Sequence, residues 1–434
     1  MKYLSTRKQA PVAALSEAVR NGSAPDGGLY LPETMPPAPA LALDASLPLA
    51  EFAAAMLRPF FAGDRLEPEL AAICAQAFNF PVPLVTPDSA RPALRGFELF
   101  HGPTGAFKDF GARFLLACFD RLGDPAYPLT VLAATSGDTG GAVGCAAEGH
   151  KAVRAVILFP KGRVSPFQER QLTCWGEPVQ AIEVDGDFDD CQRLVKAAFA
   201  DPALSARHRL TSANSINIAR LLPQAAFAAH AAVRLQSATG SPPGFAIPTG
   251  NLGHGVAVLL ARAMGFPVGP VVLATNANAT LADWHRTGGY QPRSSVPTMA
   301  NAMDVGAPSN FERLEALAAE LGAVHVELVD DAAICARLRS EYQASGYVWC
   351  PHSAIAVEAY SRLPEAQRSE RPWIAAATAH PFKFADILEP VIGARIDPPP
   401  QLAAILDWPV RKVSIPATLE ALAAELGARE AMAA

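Results

Sequence analysis

The chain has 434 residues, a formal net charge of −6, 50% hydrophobic residues and only 18% charged ones, with a mean hydropathy of +0.15. These values argue against a disordered scaffold and a basic nucleic-acid binder, and they leave room for a large core divided over about two or three domains. No run approaches the length of a membrane span, and the start Met1–Lys8 lacks the apolar core of a signal peptide, so the expectation is a soluble cytoplasmic protein with no membrane or nucleic-acid partner.

In chain order, residues 1–90 hold short amphipathic helices, such as Pro11–Arg20 and Leu49–Phe61. They are interrupted by the turn Ala24-Pro25-Asp26-Gly27-Gly28 and by the proline-rich stretch Pro32–Pro39. This region is expected to form a small N-terminal accessory domain. Beyond it, apolar runs predict strands at Leu129–Ala134, Arg154–Phe159, Val179–Val184, Phe245–Pro248, Val271–Ala274 and Trp373–Thr378. Helical periodicity is predicted over Ala106–Leu122, Gly140–Glu148, Ser165–Trp175, Phe188–Ala200, Ile216–Arg234 and Gly255–Met264, with a terminal helix over Ala417–Ala434. Continuous apolar strands separated by helices imply an α/β protein with mostly parallel sheets covered on both faces. The expected division is 1–90, then an α/β unit at 91–225, then a larger one at 226–434. Seven cysteines, at 74, 118, 145, 174, 191, 335 and 350, contain no C-x-x-C pair. That pattern predicts reduced thiols and no structural metal.

Several strand-to-helix junctions carry chemistry. In Phe100–Arg113, Lys108 stands just inside a helix start behind a Gly/Pro/Thr turn. There, burial or a positive helix end would lower its proton affinity and suit it to Schiff-base formation; the other reading is a surface lysine in a first helical turn. Thr135-Ser136-Gly137-Asp138-Thr139-Gly140-Gly141 gathers hydroxyls and amides at a helix start, which suits either an anion or a plain capped turn. Thr249-Gly250-Asn251-Leu252-Gly253-His254-Gly255 repeats that logic without G-x-G-x-x-G spacing and favours a single phosphate. Ser212–Arg220 offers Asn214, Ser215 and Arg220 as a polar clamp, or as an ordinary capped start with a solvated arginine. Thr378 and His380 sit at the exit of a buried strand, where a satisfied structural threonine is the default.

Taken together, these segments resemble the threonine synthases, over nearly the whole chain. The resemblance rests on Tyr3–Arg7, Ala24–Tyr30, the Lys108 segment, Ser136–Gly140, Gly186–Cys191, Ser212–Arg220, Asn301–Val305 and Thr378–Pro381, in that order. It implies a pyridoxal 5'-phosphate (PLP) enzyme of fold type II, with two open, mostly parallel sheets flanked by helices and an N-terminal accessory domain. It further implies conversion of O-phospho-L-homoserine and water to L-threonine and phosphate by a monomer or homodimer. Carried over by position, Lys108 forms the Schiff base, and Gly250, Asn251, Leu252, Gly253 and His254 hold the cofactor phosphate. Thr378 faces the pyridine nitrogen, where a hydroxyl leaves the ring a weaker electron sink than a carboxylate would. Thr139, Asn214, Ser215 and Arg220 match the positions that hold the substrate phosphate, with Thr135, Ser136 and Asp138 near its carboxylate and the cofactor ring. The family's Gly-Asn-Phe-Gly-Asp reads Gly250-Asn251-Leu252-Gly253-His254 here. Leu252 is expected to cost little, and His254 to titrate near neutrality and impose a pH dependence on cofactor affinity. Other readings are a related PLP lyase such as a phospholyase or threonine dehydratase, a catalytically silent PLP-binding paralogue, and a dinucleotide-binding α/β protein.

Overall fold

The computed structural model describes residues 1–135 and 137–433. Its strands in chain order are β1 (Tyr3–Ser5), β2 (Tyr30–Pro32), β3 (Leu84–Val85), β4 (Leu94–Glu98), β5 (Leu129–Ala134), β6 (Val153–Pro160) and β7 (Val179–Asp185). They continue as β8 (Leu210–Thr211), β9 (Gly244–Pro248), β10 (Val271–Thr275), β11 (His325–Leu328), β12 (Trp373–Ala377) and β13 (Val413–Pro416). A six-stranded sheet has the order β11-β10-β9-β12-β4-β3, and a five-stranded sheet the order β13-β7-β6-β5-β8. All neighbours in both sheets are parallel except β3 and β4. The α/β architecture with two mostly parallel sheets is therefore present. No helix among the described residues is long and apolar enough to cross a membrane.

The sheets do not follow the contiguous division expected from the sequence. Strand β3 lies before residue 90 yet pairs with β4; β4 pairs in turn with β12, and β13 from the far end of the chain pairs with β7. Parallel neighbours need crossovers rather than tight turns, so sequence proximity does not decide sheet membership. Strands β4, β8, β11 and β13 carry no continuous apolar run, and composition did not single them out.

The helices pack around two of the longest, Lys108–Leu122 and Ile218–Thr239. Phe110, Phe114 and Phe119 on the first are fully buried. The Phe110 ring lies 4.5 Å from Phe80, 5.1 Å from Phe227 and 5.8 Å from Phe78, centroid to centroid. The N-terminal helix Leu49–Phe61 joins the same core, with Phe52 edge-on to His230 of Ile218–Thr239 at 5.0 Å. The helix predicted to begin at Ala106 starts at Lys108 instead. Ala106 is held in a bridge to Ala379, and the Phe107 N–H donates to the Thr378 carbonyl at 2.8 Å, so both residues are spent on the neighbouring chain.

Phe110→Ala removes a ring clamped by three others at the base of the Lys108 helix, and should cost about 3–5 kcal/mol of stability, read from the denaturant midpoint. A midpoint within error of the parent would show that the helix is not seated through this residue.

Candidate active site

Strands β4, β9 and β12 run side by side in the same direction, so the loops after them emerge at one edge of the six-stranded sheet. Those loops contain Lys108, residues 249–255 and Thr378. In the other sheet β5 and β8 are neighbours, and the segments after them contain Thr135–Gly141 and Ser212–Arg220. In open parallel sheets, ligands lie at the carboxyl ends of strands.

Lys108 opens its helix with Phe107 as an N-cap that supplies no side-chain acceptor. Burial holds its amine below the ordinary lysine range; Asp138 opposes that, while Arg220 and Lys383 reinforce it. These four charged groups thus share one electrostatic neighbourhood. The preceding loop is fixed by Asp109, fully buried, which accepts from Thr104 N at 2.9 Å and Thr104 Oγ1 at 2.6 Å. Burial raises the Asp109 carboxyl to about 6, against the pull of those hydrogen bonds.

The glycine loop after β9 leads into the helix Gly253–Ala263, whose N-cap, Leu252, offers no side-chain acceptor. A Cβ at Gly250 would meet Met303 Cα at 2.8 Å, so the main chain here approaches its neighbour closely. Asn251 donates to Ser215 Oγ at 2.6 Å and its carbonyl accepts from Asn310 Nδ2 at 3.0 Å. The loop after β9 and the segment after β8 are therefore directly joined. Arg313, fully buried, donates to Asn310 Oδ1 at 2.7 Å and twice to the carbonyl of Tyr30 in β2, at 3.1 and 3.3 Å.

Arg220 is 3% exposed. Its Nη1 donates to the Ala213 carbonyl at 2.6 Å, its Nε has no partner, and burial lowers its pKa to about 10. A Cβ at Gly111 would lie 2.8 Å from that Nε, so glycine in the Lys108 helix makes room for the guanidinium. Among the described residues no carboxylate pairs with this buried cation, and its unused donor can receive an anion. Asn214 and Ser215 follow Ala213, whose carbonyl Arg220 binds; Asn214 is exposed and accepts from Ser215 N at 2.7 Å.

Other expected residues are arranged differently. The Thr135 hydroxyl is engaged within its own loop, accepting from the N–H groups of Gly137 and Gly140, both at 3.1 Å. Thr139 is half-buried in the first turn of the helix Asp138–Ala147, and Ser136 lies outside the described residues. Asp138 is buried and forms an ion pair with Lys383 Nζ at 3.0 Å, without the alignment of a full hydrogen bond. Burial would raise its carboxyl, but Lys383, Lys108 and His352 together pull it well below the usual range. Thr378 Oγ1 lies 3.3 Å from Ser353 Oγ and 3.8 Å from Cys350 Sγ.

Leu252 takes φ 63°, a left-handed conformation that costs any non-glycine residue roughly 1–2 kcal/mol, phenylalanine as much as leucine, so the strain does not count against the replacement. One expectation is corrected. His254 does not titrate near neutrality. Its ring stacks on Phe107 at 5.3 Å, meets Phe227 edge-on, and leaves Nδ1 buried without a partner; burial lowers its pKa to about 3. Sequence reading missed Asp109, His352, Lys383, Asn310 and Arg313. Lys383 alone left a trace, as a cation inside the apolar run that follows a buried strand.

The residues fit a phosphate-bearing cofactor on two observations: the helix start after Leu252 carries no side-chain cap, and the Lys108 amine is held below the ordinary lysine range. The comparisons with known proteins agree. Residues 97–377 match the model of pyridoxal-phosphate dependent enzymes, residues 2–78 that of the threonine synthase N terminus, and residues 353–425 that of the threonine synthase C-terminal region. Threonine synthase of Escherichia coli K12 is 37% identical over 430 residues, covering 97% of this chain and 98% of that protein. The crystal structure of PLP-bound threonine synthase from Brucella melitensis aligns with a TM-score of 0.91 at 33% identity, over 98% of each chain. That of the yeast threonine synthase aligns with a TM-score of 0.90 at 28% identity, over 100% of this chain and 99% of that one.

His254 has a folded pKa of about 3 against an ordinary 6.5, so it contributes stability above pH 6.5 that is lost as pH falls toward 3. Cofactor affinity between about pH 5 and 8 should therefore lack an inflection from this ring, and the affinity profile of His254→Gln should run parallel to the parent's. An inflection near neutrality that vanishes in the variant would overturn this.

Proposed function

This chain belongs to the threonine synthases, a family of pyridoxal-phosphate-dependent enzymes, and from that premise we propose that it turns O-phospho-L-homoserine and water into L-threonine and phosphate with Lys108 as the cofactor-bearing lysine. The observation that carries this reading is a half-buried lysine at an uncapped helix start, its proton affinity depressed, sharing its surroundings with an arginine that has an unused donor. The substrate is a small molecule. Seven free thiols suit a reducing cytoplasm, and the enzyme is read as a monomer or homodimer.

When bound, the cofactor supplies an aldehyde that captures the substrate amine and a ring that withdraws electrons from its carbon chain. The main-chain amides of Gly250, Asn251, Leu252, Gly253 and His254 would hold its phosphate at the helix start. Thr378, with Ser353 Oγ 3.3 Å from its hydroxyl, would offer a neutral hydroxyl to the ring nitrogen. Lys108, its proton affinity lowered by burial, would move protons at Cα, Cβ and Cγ of the bound substrate. Arg220, with Thr139, Asn214 and Ser215, neutralises the phosphate that departs from Cγ, and water then adds at Cβ. Thr135, which shapes the turn, and Asp138 are read as bordering the substrate carboxylate and the cofactor ring, with Ser136 of the same segment outside the described residues.

Lys108→Ala should abolish borohydride-fixed cofactor on the chain along with turnover, and fixation persisting in that variant would remove the assignment. Arg220→Ala should lower kcat/KM for O-phospho-L-homoserine by about 100-fold while cofactor attachment survives. Unchanged phosphate release would take Arg220 out of the anion site, and faster release from another phosphorylated amino acid would reassign the substrate.

A further inference from the structure

Beyond β12 the chain enters the turn Pro381–Phe384, and Lys383 points inward from it with a fully buried side chain. Its ammonium donates to the Thr104 carbonyl at 2.6 Å and to Gln171 Oε1 at 2.6 Å, and pairs with Asp138 at 3.0 Å. These partners come from three other segments: the loop before Lys108, the helix Pro166–Thr173 and the first turn of Asp138–Ala147. Gln171 Nε2 also donates to the Thr104 carbonyl at 2.9 Å, and Thr104 holds Asp109, the residue next to Lys108. One cation from the six-stranded sheet thereby ties together both the Lys108 loop and the helix that follows β5.

A buried ion pair is a poor source of stability, because desolvating two charges consumes most of their attraction. Its placement is more informative. Asp138 has two lysines within its electrostatic reach, Lys383 and Lys108. Without Lys383, Lys108 would be the lysine whose charge still acts on the carboxylate, and an ammonium locked in such a pair is no nucleophile. The other groups facing this pair are Arg220, His352 and, through Lys383, Asp109 and His380. Burial lowers both histidines to about 4, so neither takes over the cation's place near neutrality.

We propose that Lys383 is a positioning residue, whose buried ammonium occupies Asp138 so that this carboxylate does not capture Lys108, and whose second bond fixes the Thr104 turn from which Lys108 projects. This rests on the assignment of Lys108 as the cofactor-bearing lysine.

The test is a pH titration of the visible absorbance of the holoenzyme, in which the cofactor is linked to Lys108. With Lys383→Met, Asp138 is free to stabilise positive charge on the Lys108 nitrogen, and the inflection should move up by about one pH unit. Asp138→Asn should move it down by a similar amount, and Lys383→Arg, which keeps the cation, should restore the parental value and most of kcat. An unmoved inflection in a folded Lys383→Met protein overturns the proposal. Should that variant fail to fold, an unmoved inflection in Asp138→Asn overturns it instead. Borohydride fixation mapped by mass spectrometry separates the two claims: cofactor on another lysine fells the Lys108 assignment and this inference together, whereas cofactor on Lys108 with unmoved inflections fells the positioning role alone.

Discussion

Strand β12 hydrogen-bonds to β4 on one side and β9 on the other, all three running the same way, with Trp373 opposite both Leu94 and Gly244. That register forces the turn carrying Lys108, the glycine loop and Thr378 to leave the sheet at one edge. The bridge from Ala106 to Ala379 and the bond from Phe107 to Thr378 extend the pairing past the strand ends into the catalytic turn. Shifting β12 by one residue would turn its side chains to the opposite face of the sheet and carry Thr378 away with them.

The second theme is charge in a dry place. Lys108, Asp138, Arg220 and Lys383 are brought together where desolvation is the largest influence on three of them. Two are matched as an ion pair and Arg220 keeps an unused donor, while the balance holds the Lys108 amine below the ordinary lysine range. A substrate that brings a phosphate supplies the anion that Arg220 lacks. Binding and charge compensation therefore come from one event, and a neutral analogue would forgo it.

Much of this was legible from the chain. Buried parallel strands such as Val179–Asp185 read as apolar runs because both faces are covered, and Lys108 and Arg220 each stood in a segment with its own turn chemistry. What escaped has a physical reason in each case. Strand β4 is Leu-Arg-Gly-Phe-Glu, whose polar residues are tolerated near the sheet's margin, and β13 is short and largely exposed. Asn310 and Arg313 act on Asn251 and Tyr30, 59 and 283 residues away, which no local pattern encodes. The neutrality of His254 depends on Phe107 and Phe227 closing over it, a property of packing rather than of the loop's spelling.

The guanidinium of Arg313 touches the carbonyl of Tyr30 with one arm and reaches, through Asn310, the backbone of Asn251 with the other. The first thirty or so residues are thus no detachable ornament. Clipping them would strip the twice-bonded Tyr30 acceptor from a buried cation linked to the anion loop, and the chain would answer at the cofactor's phosphate to an injury inflicted at its own beginning.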